Sequence, residues 1–254
     1  MGNRQMKNGV CRLCNQETQL SYEHIPPKCA FNKNTKHTVG SFFEFMKSKQ
    51  PLEHKVKGKF MQGGIGFHAY CQECNTFLGN EYVRIYKKWA QTGAIALSNG
   101  NFEAYEYTAL KQYPNRILKQ IVSMFIGIHD TRFGQQYPEL IEFVKNPDST
   151  ELNSRFRILT YLNTKGMYRY SEFMVTYMNG NIIKCSEITF PPFGYVLLID
   201  NNLEYQHLLD ITTFKNVAPN VEMNIDLKIR KLETHRPLPL DYRSLDDIKH
   251  GMED

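Results

Sequence analysis

The chain has 254 residues, 41% of them hydrophobic and 13% aromatic, the composition of a folded protein with length for one large or two small domains. No apolar run approaches the roughly 18 residues of a membrane helix, and Met1 to Val10 is polar and basic, without the apolar core of a secretory leader. Membrane insertion and a disulfide scaffold are therefore set aside, and a reducing, cytoplasmic setting is expected.

The formal charge of +5 is unevenly spread. Residues 1–99 hold 14 Lys and Arg against 6 Glu and no Asp, whereas residues 100–254 hold 17 basic against 20 acidic side chains. A basic half of this kind suits a polyanionic partner, of which nucleic acid is the commonest.

In chain order, the first informative segment is Cys11-Arg12-Leu13-Cys14, matched far downstream by Cys71-Gln72-Glu73-Cys74. Each Cys-x-x-Cys can form a tight knuckle presenting two thiolates, and two knuckles complete a tetrahedral Zn2+ site. Two disulfides would need an oxidising compartment, and a thioredoxin-like motif would leave one pair without a role. Cys29 and Cys185 stand alone and read as small, partly buried side chains.

Leu20 to Ile25 alternates as a strand and carries Glu23-His24, with Pro26-Pro27 to end it. Residues 28–66 form a polar, Lys-rich insertion in which Phe42, Phe43, Phe45 and Met46 mark one short buried turn. Lys55, Lys57 and Lys59 share a face if Lys55 to Phe60 is extended. Gly63, Gly64 and Gly66 make a turn before Phe67 to Tyr70 return to the second knuckle.

After Asn75, the residues Leu78, Tyr82, Ile85, Tyr86 and Trp89 form one apolar helical stripe. Arg84 and Lys88 lie i,i+4 on another face, where two like charges are either phosphate contacts or simply solvated. Ser98-Asn99-Gly100-Asn101 closes this unit, so the domains are read as 1–99, with a basic insertion at 28–66, and 100–254.

The second half reads as β-rich and mixed. Phe102 to Leu110 is extended, Arg116 to Ile128 and Pro138 to Lys145 are helices, and strands follow at Phe156 to Leu162, Tyr168 to Tyr177, Ile182 to Ile188, Tyr195 to Ile199 and Val221 to Leu232. Asn179-Gly180 signals a hairpin. Val221, Met223, Ile225, Leu227 and Ile229 alternate with polar residues, so that last strand has one wet face. The overall class is α+β, and this half suits a regulatory, recognition or dimerising role.

The three segments Cys11-Arg12-Leu13-Cys14, Glu23-His24-Ile25-Pro26-Pro27 and Cys71-Gln72-Glu73-Cys74-Asn75 together resemble the HNH, or ββα-metal, endonucleases, in the four-cysteine zinc branch that includes phage endonuclease VII. The likeness covers about residues 9–91. It implies that His24 is the general base for an attacking water, that Glu23 and Asn75 hold a catalytic Mg2+ or Mn2+, and that Cys11, Cys14, Cys71 and Cys74 hold a structural Zn2+. The chemistry is consistent: a neutral imidazole with an unperturbed pKa of about 6.5 accepts a proton at cellular pH, and a hard divalent ion neutralises phosphate charge.

Many members carry a further His on the helix, and this helix has none; Asn80, Glu81 and His68 are the nearest polar residues. Lys28, Lys55, Lys57, Lys59, Arg84 and Lys88 are the expected nucleic-acid contacts, and His37 in the insertion can join them. His54, His129, His207, His235 and His250 lack ligand spacing and read as surface or core residues. The resemblance implies metal-dependent hydrolysis of DNA in a setting such as restriction or antiphage defence. The competing readings are a zinc-stapled nucleic-acid-binding module without catalysis and a nuclease directed at RNA.

Overall fold

Strand β1 (Lys7–Val10) and strand β2 (Glu17–His24) pair antiparallel and are joined through the Cys11 to Cys14 turn. The fold is taken from a computed structural model, which describes residues 7–40, 58–98, 104–163, 169–178, 181–202, 204–205 and 208–232. β2 starts three residues before the predicted Leu20 and stops at His24, because Pro26 and Pro27 offer no N–H to a ladder. A helical turn, Lys28–Asn32, follows, and then a separate ribbon of β3 (His37–Gly40) with β4 (Gly58–Met61). Lys59 is exposed on β4, whereas Lys55, Lys57 and the predicted Phe42 to Met46 turn lie outside the described residues.

β5 (Gly66–Cys71) returns along the far edge of β2, giving a sheet of order β1-β2-β5. Helix α1 (Gln72–Leu78) starts inside the second knuckle, and a wider turn at Gly79–Val83 carries it into α2 (Arg84–Ser98). The apolar stripe read from sequence is buried at Leu78, Tyr82, Tyr86 and Trp89, with Ile85 partly covered.

The second half is a mostly antiparallel sheet of β6 (Ala104–Gln112), β7 (Phe156–Asn163), β8 (Arg169–Met178), β9 (Asn181–Phe190), β10 (Phe193–Ile199), the short β11 (Leu209–Asp210) and β12 (Met223–Leu232). Its order is β6-β12-β7-β10-β9-β8, with β11 on β7. Only β12 with β7 is parallel, through Lys231 opposite Leu162 and Leu232 opposite Asn163. β8 and β9 pair from Met178 opposite Asn181, as a two-residue hairpin connection requires.

On β12, Ile225, Leu227 and Ile229 are buried between exposed neighbours, but Val221 and Met223, apolar in the same alternation, are exposed and the strand begins only at Met223. Helices α3 (Pro114–Ile128), α4 (Thr131–Gln136) and α5 (Pro138–Lys145) complete the architecture, a mixed α+β fold. α3 is buried all round except at Arg116, which makes it the central rod of the molecule. No helix among the described residues is long and apolar enough to cross a membrane.

The two halves share one hydrophobic core, which runs from Leu20, Ile25 and Tyr70 through Leu78 and Trp89 to Phe125, Phe193 and Tyr195. Trp89 stacks on Phe193 with centroids 4.8 Å apart, and its Nε1–H donates to the Tyr195 hydroxyl at 2.9 Å. That approach requires glycine at 93, where a Cβ would lie 2.5 Å from the Phe193 ring. Tyr82 donates to the Val144 carbonyl at 2.7 Å, Arg116 pairs with Glu81, and the Arg12 guanidinium donates to the Gly127 carbonyl. The helical rod that begins at the second knuckle is therefore fastened to the second half along its length.

A candidate metal centre beside a Glu-Asn pair

The Sγ atoms of Cys11, Cys14, Cys71 and Cys74 all lie within 4.8 Å of one another. Zinc–thiolate bonds of about 2.3 Å in a tetrahedron put sulfurs about 3.8 Å apart, and Cys14 and Cys71 are 3.9 Å apart. The four-cysteine cluster thus has the size that a zinc-like ion needs.

Local backbone chemistry builds each knuckle. In the first, the Cys11 N–H donates to the Gln16 carbonyl and the Asn15 N–H to the Cys11 carbonyl, with Asn15 at φ 60°, a left-handed conformation that Asn tolerates. In the second, Cys71 caps α1 by accepting the Cys74 N–H on its sulfur at 3.4 Å. The knuckles are tied to each other by the Arg12 N–H on the Ala69 carbonyl and by the Cys71 N–H on the Cys11 sulfur at 3.3 Å.

Such N–H to sulfur bonds favour thiolates and orient them as ligands. A hydrogen bond from Cys74, reinforced by backbone N–H groups, holds the Cys11 thiol down at about 4. Donating to Cys11 pushes the Cys74 thiol far above its ordinary value. Of the two lone cysteines, Cys185 is buried and Cys29 is exposed, its thiol 3.8 Å from the Val83 carbonyl.

Glu23 and Asn75 are brought together. The second cysteine knuckle places the first turn of α1 against β2, where the Asn75 amide acts on the Glu23 carboxyl to favour its charged form. Burial acts more strongly in the other direction and raises the Glu23 carboxyl to about 7, against the pull of Asn75 and of the Lys28 charge. Asn75 also donates from Nδ2 to the Ser21 hydroxyl at 2.9 Å, and Ser21 donates to the Tyr70 carbonyl at 3.0 Å. Ser21 was not a candidate in sequence, where a lone serine carries no ligand spacing.

His24 leaves β2 on the opposite face. It is buried, stands edge-on to Tyr22 with centroids 5.1 Å apart, and places Nε2 3.1 Å from the Gly63 carbonyl. A carbonyl only accepts, so Nε2 carries the proton and, in the neutral ring, Nδ1 carries the lone pair. The covering turn needs glycine: Gly64 has φ +90°, and a Cβ there would lie 2.6 Å from His24 Cδ2. His68, across the ladder, packs against the other side of Tyr22 at 5.3 Å.

Lys7, the first described residue, pairs with Leu20, and among the described residues no strand pairs with β2 beyond it on that side. Lys28 and Arg84 are exposed, as is Lys87, which sequence reasoning passed over. Lys88 is engaged by the second half instead, bonded to the Lys111 carbonyl and 3.7 Å from Glu222.

A groove of about 1090 Å³ behind the first knuckle is lined by residues such as Arg12, Asn15, Glu139 and Glu142 and includes none of Glu23, His24 and Asn75. Comparison of the chain with protein-family models, with curated proteins and with solved structures gives no match.

Proposed function

We propose that this protein is a zinc-stapled, divalent-ion-dependent endonuclease that hydrolyses phosphodiester bonds of DNA. One observation carries the reading: the Glu23 carboxyl and the Asn75 amide, contributed by different elements, meet on one face of β2, while the adjacent His24 turns to the other face with its tautomer set by the Gly63 carbonyl. The cysteine cluster acts as scaffold, since four thiolates leave no open position on a zinc ion. A carboxylate with an amide oxygen is a hard donor pair suited to Mg2+ or Mn2+, which keeps most of its waters at such a site. Glu23 and Asn75 would hold such an ion, which would supply positive charge at the scissile phosphate and the leaving oxygen.

Glu23 and His24 alternate across β2, so a phosphate laid alongside residues 21–24 is flanked by the carboxylate on one face and the imidazole on the other. His24 Nδ1 accepts the proton of the attacking water as its oxygen bonds to phosphorus, and the bond to the leaving oxygen breaks, with solvent returning a proton. General-base assistance is worth about 10² to 10⁴ in rate. Lys28, Lys59, Arg84 and Lys87 hold the backbone by charge, an affinity that falls with salt and carries no sequence information.

Purified protein with full zinc content is tested by plasmid nicking in Mg2+ or Mn2+. Wild type is expected to nick, and His24→Ala to bind duplex but lose at least about 10²-fold in rate. Equal cutting by both proteins refutes the role of His24. Tight duplex binding by wild type without cleavage in either ion would reduce the unit to a binding module.

A further inference from the structure

We propose that Ser21 is a positioning residue for the divalent-ion site: its hydroxyl decides which end of the Asn75 amide faces the ion. The inference rests on the reading of Glu23 and Asn75 as the protein's donors. A hydroxyl has one proton, and Ser21 commits it to the Tyr70 carbonyl at 3.0 Å, a partner that only accepts. Toward Asn75 the Ser21 oxygen can then act only as an acceptor. The Asn75 atom 2.9 Å from it must therefore be the nitrogen.

The flipped amide would set a carbonyl oxygen against the serine lone pairs and lose the bond to Ser21. Asn75 Oδ1 is thereby left as the ligating end. Ser21 and Tyr70 are paired residues of β2 and β5. The orientation of an amide on α1 is thus anchored in the backbone of the sheet that the zinc knuckles hold together. Orienting partners of this kind typically carry about 10- to 100-fold in metal affinity.

The test is Mn2+ titration of zinc-loaded full-length protein by calorimetry, with Glu23→Gln as the site control. Ser21→Ala is expected to weaken Mn2+ binding about tenfold with zinc content and circular dichroism unchanged, and Ser21→Thr, which keeps the hydroxyl, to stay within about twofold of wild type. Asn75→Asp presents an oxygen in either orientation, so in that background Ser21→Ala is expected to cost nothing, whereas a merely structural serine would cost the same in both. Unchanged binding in Ser21→Ala while Glu23→Gln abolishes it, or an equal loss in the Asn75→Asp background, overturns the role of Ser21 and leaves the ion site standing. Absence of Mn2+ binding in wild type refutes the ion site and the positioning role together.

Discussion

Asn32 offers the sharpest test of how the turn beneath His24 is held. Its side chain is fully buried and uses every hydrogen-bonding proton it has: Nδ2 donates to the Pro26 and Ile65 carbonyls, both at 2.7 Å, and Oδ1 accepts the Ile65 N–H at 2.8 Å. Asn32→Ala removes all three bonds. The Ile65 carbonyl keeps the Ile25 N–H at 3.1 Å, so the groups left without these partners are the Ile65 N–H and the Pro26 carbonyl. An orphaned buried group costs about 1 to 3 kcal/mol, so with two of them the substitution should destabilise the protein by about 2 to 6 kcal/mol.

Urea unfolding at fixed zinc concentration measures this, the fixed metal being needed because bound zinc adds to apparent stability. Asn32→Asp is the control. It keeps the acceptor for Ile65 but turns an oxygen toward the two carbonyls, so it should be no milder than alanine. A loss below about 1 kcal/mol for alanine, or an aspartate variant close to wild type, would refute the accounting.

Three further outcomes follow from the same geometry. Tyr195→Phe deletes the hydroxyl that accepts from Trp89 Nε1 at 2.9 Å and meets the Tyr86 hydroxyl at 3.1 Å, and should cost about 1 to 3 kcal/mol in thermal or urea unfolding. Cys74→Ser should drop zinc content below one per chain by elemental analysis and unfold the first sheet, since structural zinc supplies folding free energy directly; retention of a full equivalent would mean the ion sits elsewhere. His129 is buried, and burial lowers it from 6.5 to about 4, so the unfolded chain binds a proton that the folded chain refuses over that interval. Stability should be full above pH 6.5 and fall toward pH 4 by on the order of 3 kcal/mol, a slope that His129→Gln should largely remove in denaturation curves taken across that range.

What was legible in the sequence was carried by residue type at short spacing. Pro138 to Lys145 has the same limits in sequence and structure because a proline opens it and one apolar face runs through it. The four cysteines converge because each pair sets its own knuckle, and only one ladder, β2 with β5, is needed to bring the two together. α4 was missed: Thr131 to Gln136 has too few apolar residues to show a period, and its start rests on the Asp130 carboxylate accepting the Arg132 N–H. Glu222, 3.7 Å from Lys88, stands just before β12 in the other half, a neighbour that spacing around Lys88 could not show.

The same reasoning explains why Glu23 and Asn75 were visible as candidates and the proposed orientation of the amide was not. Glu23 and Asn75 announce themselves by type and by position beside the knuckles. The serine bonded to that amide lies 54 residues before Asn75 and could be found only after the register of β2 against β5 was known. Local spacing reveals which atoms could bind an ion, but hydrogen-bond direction across a ladder decides which of them faces it.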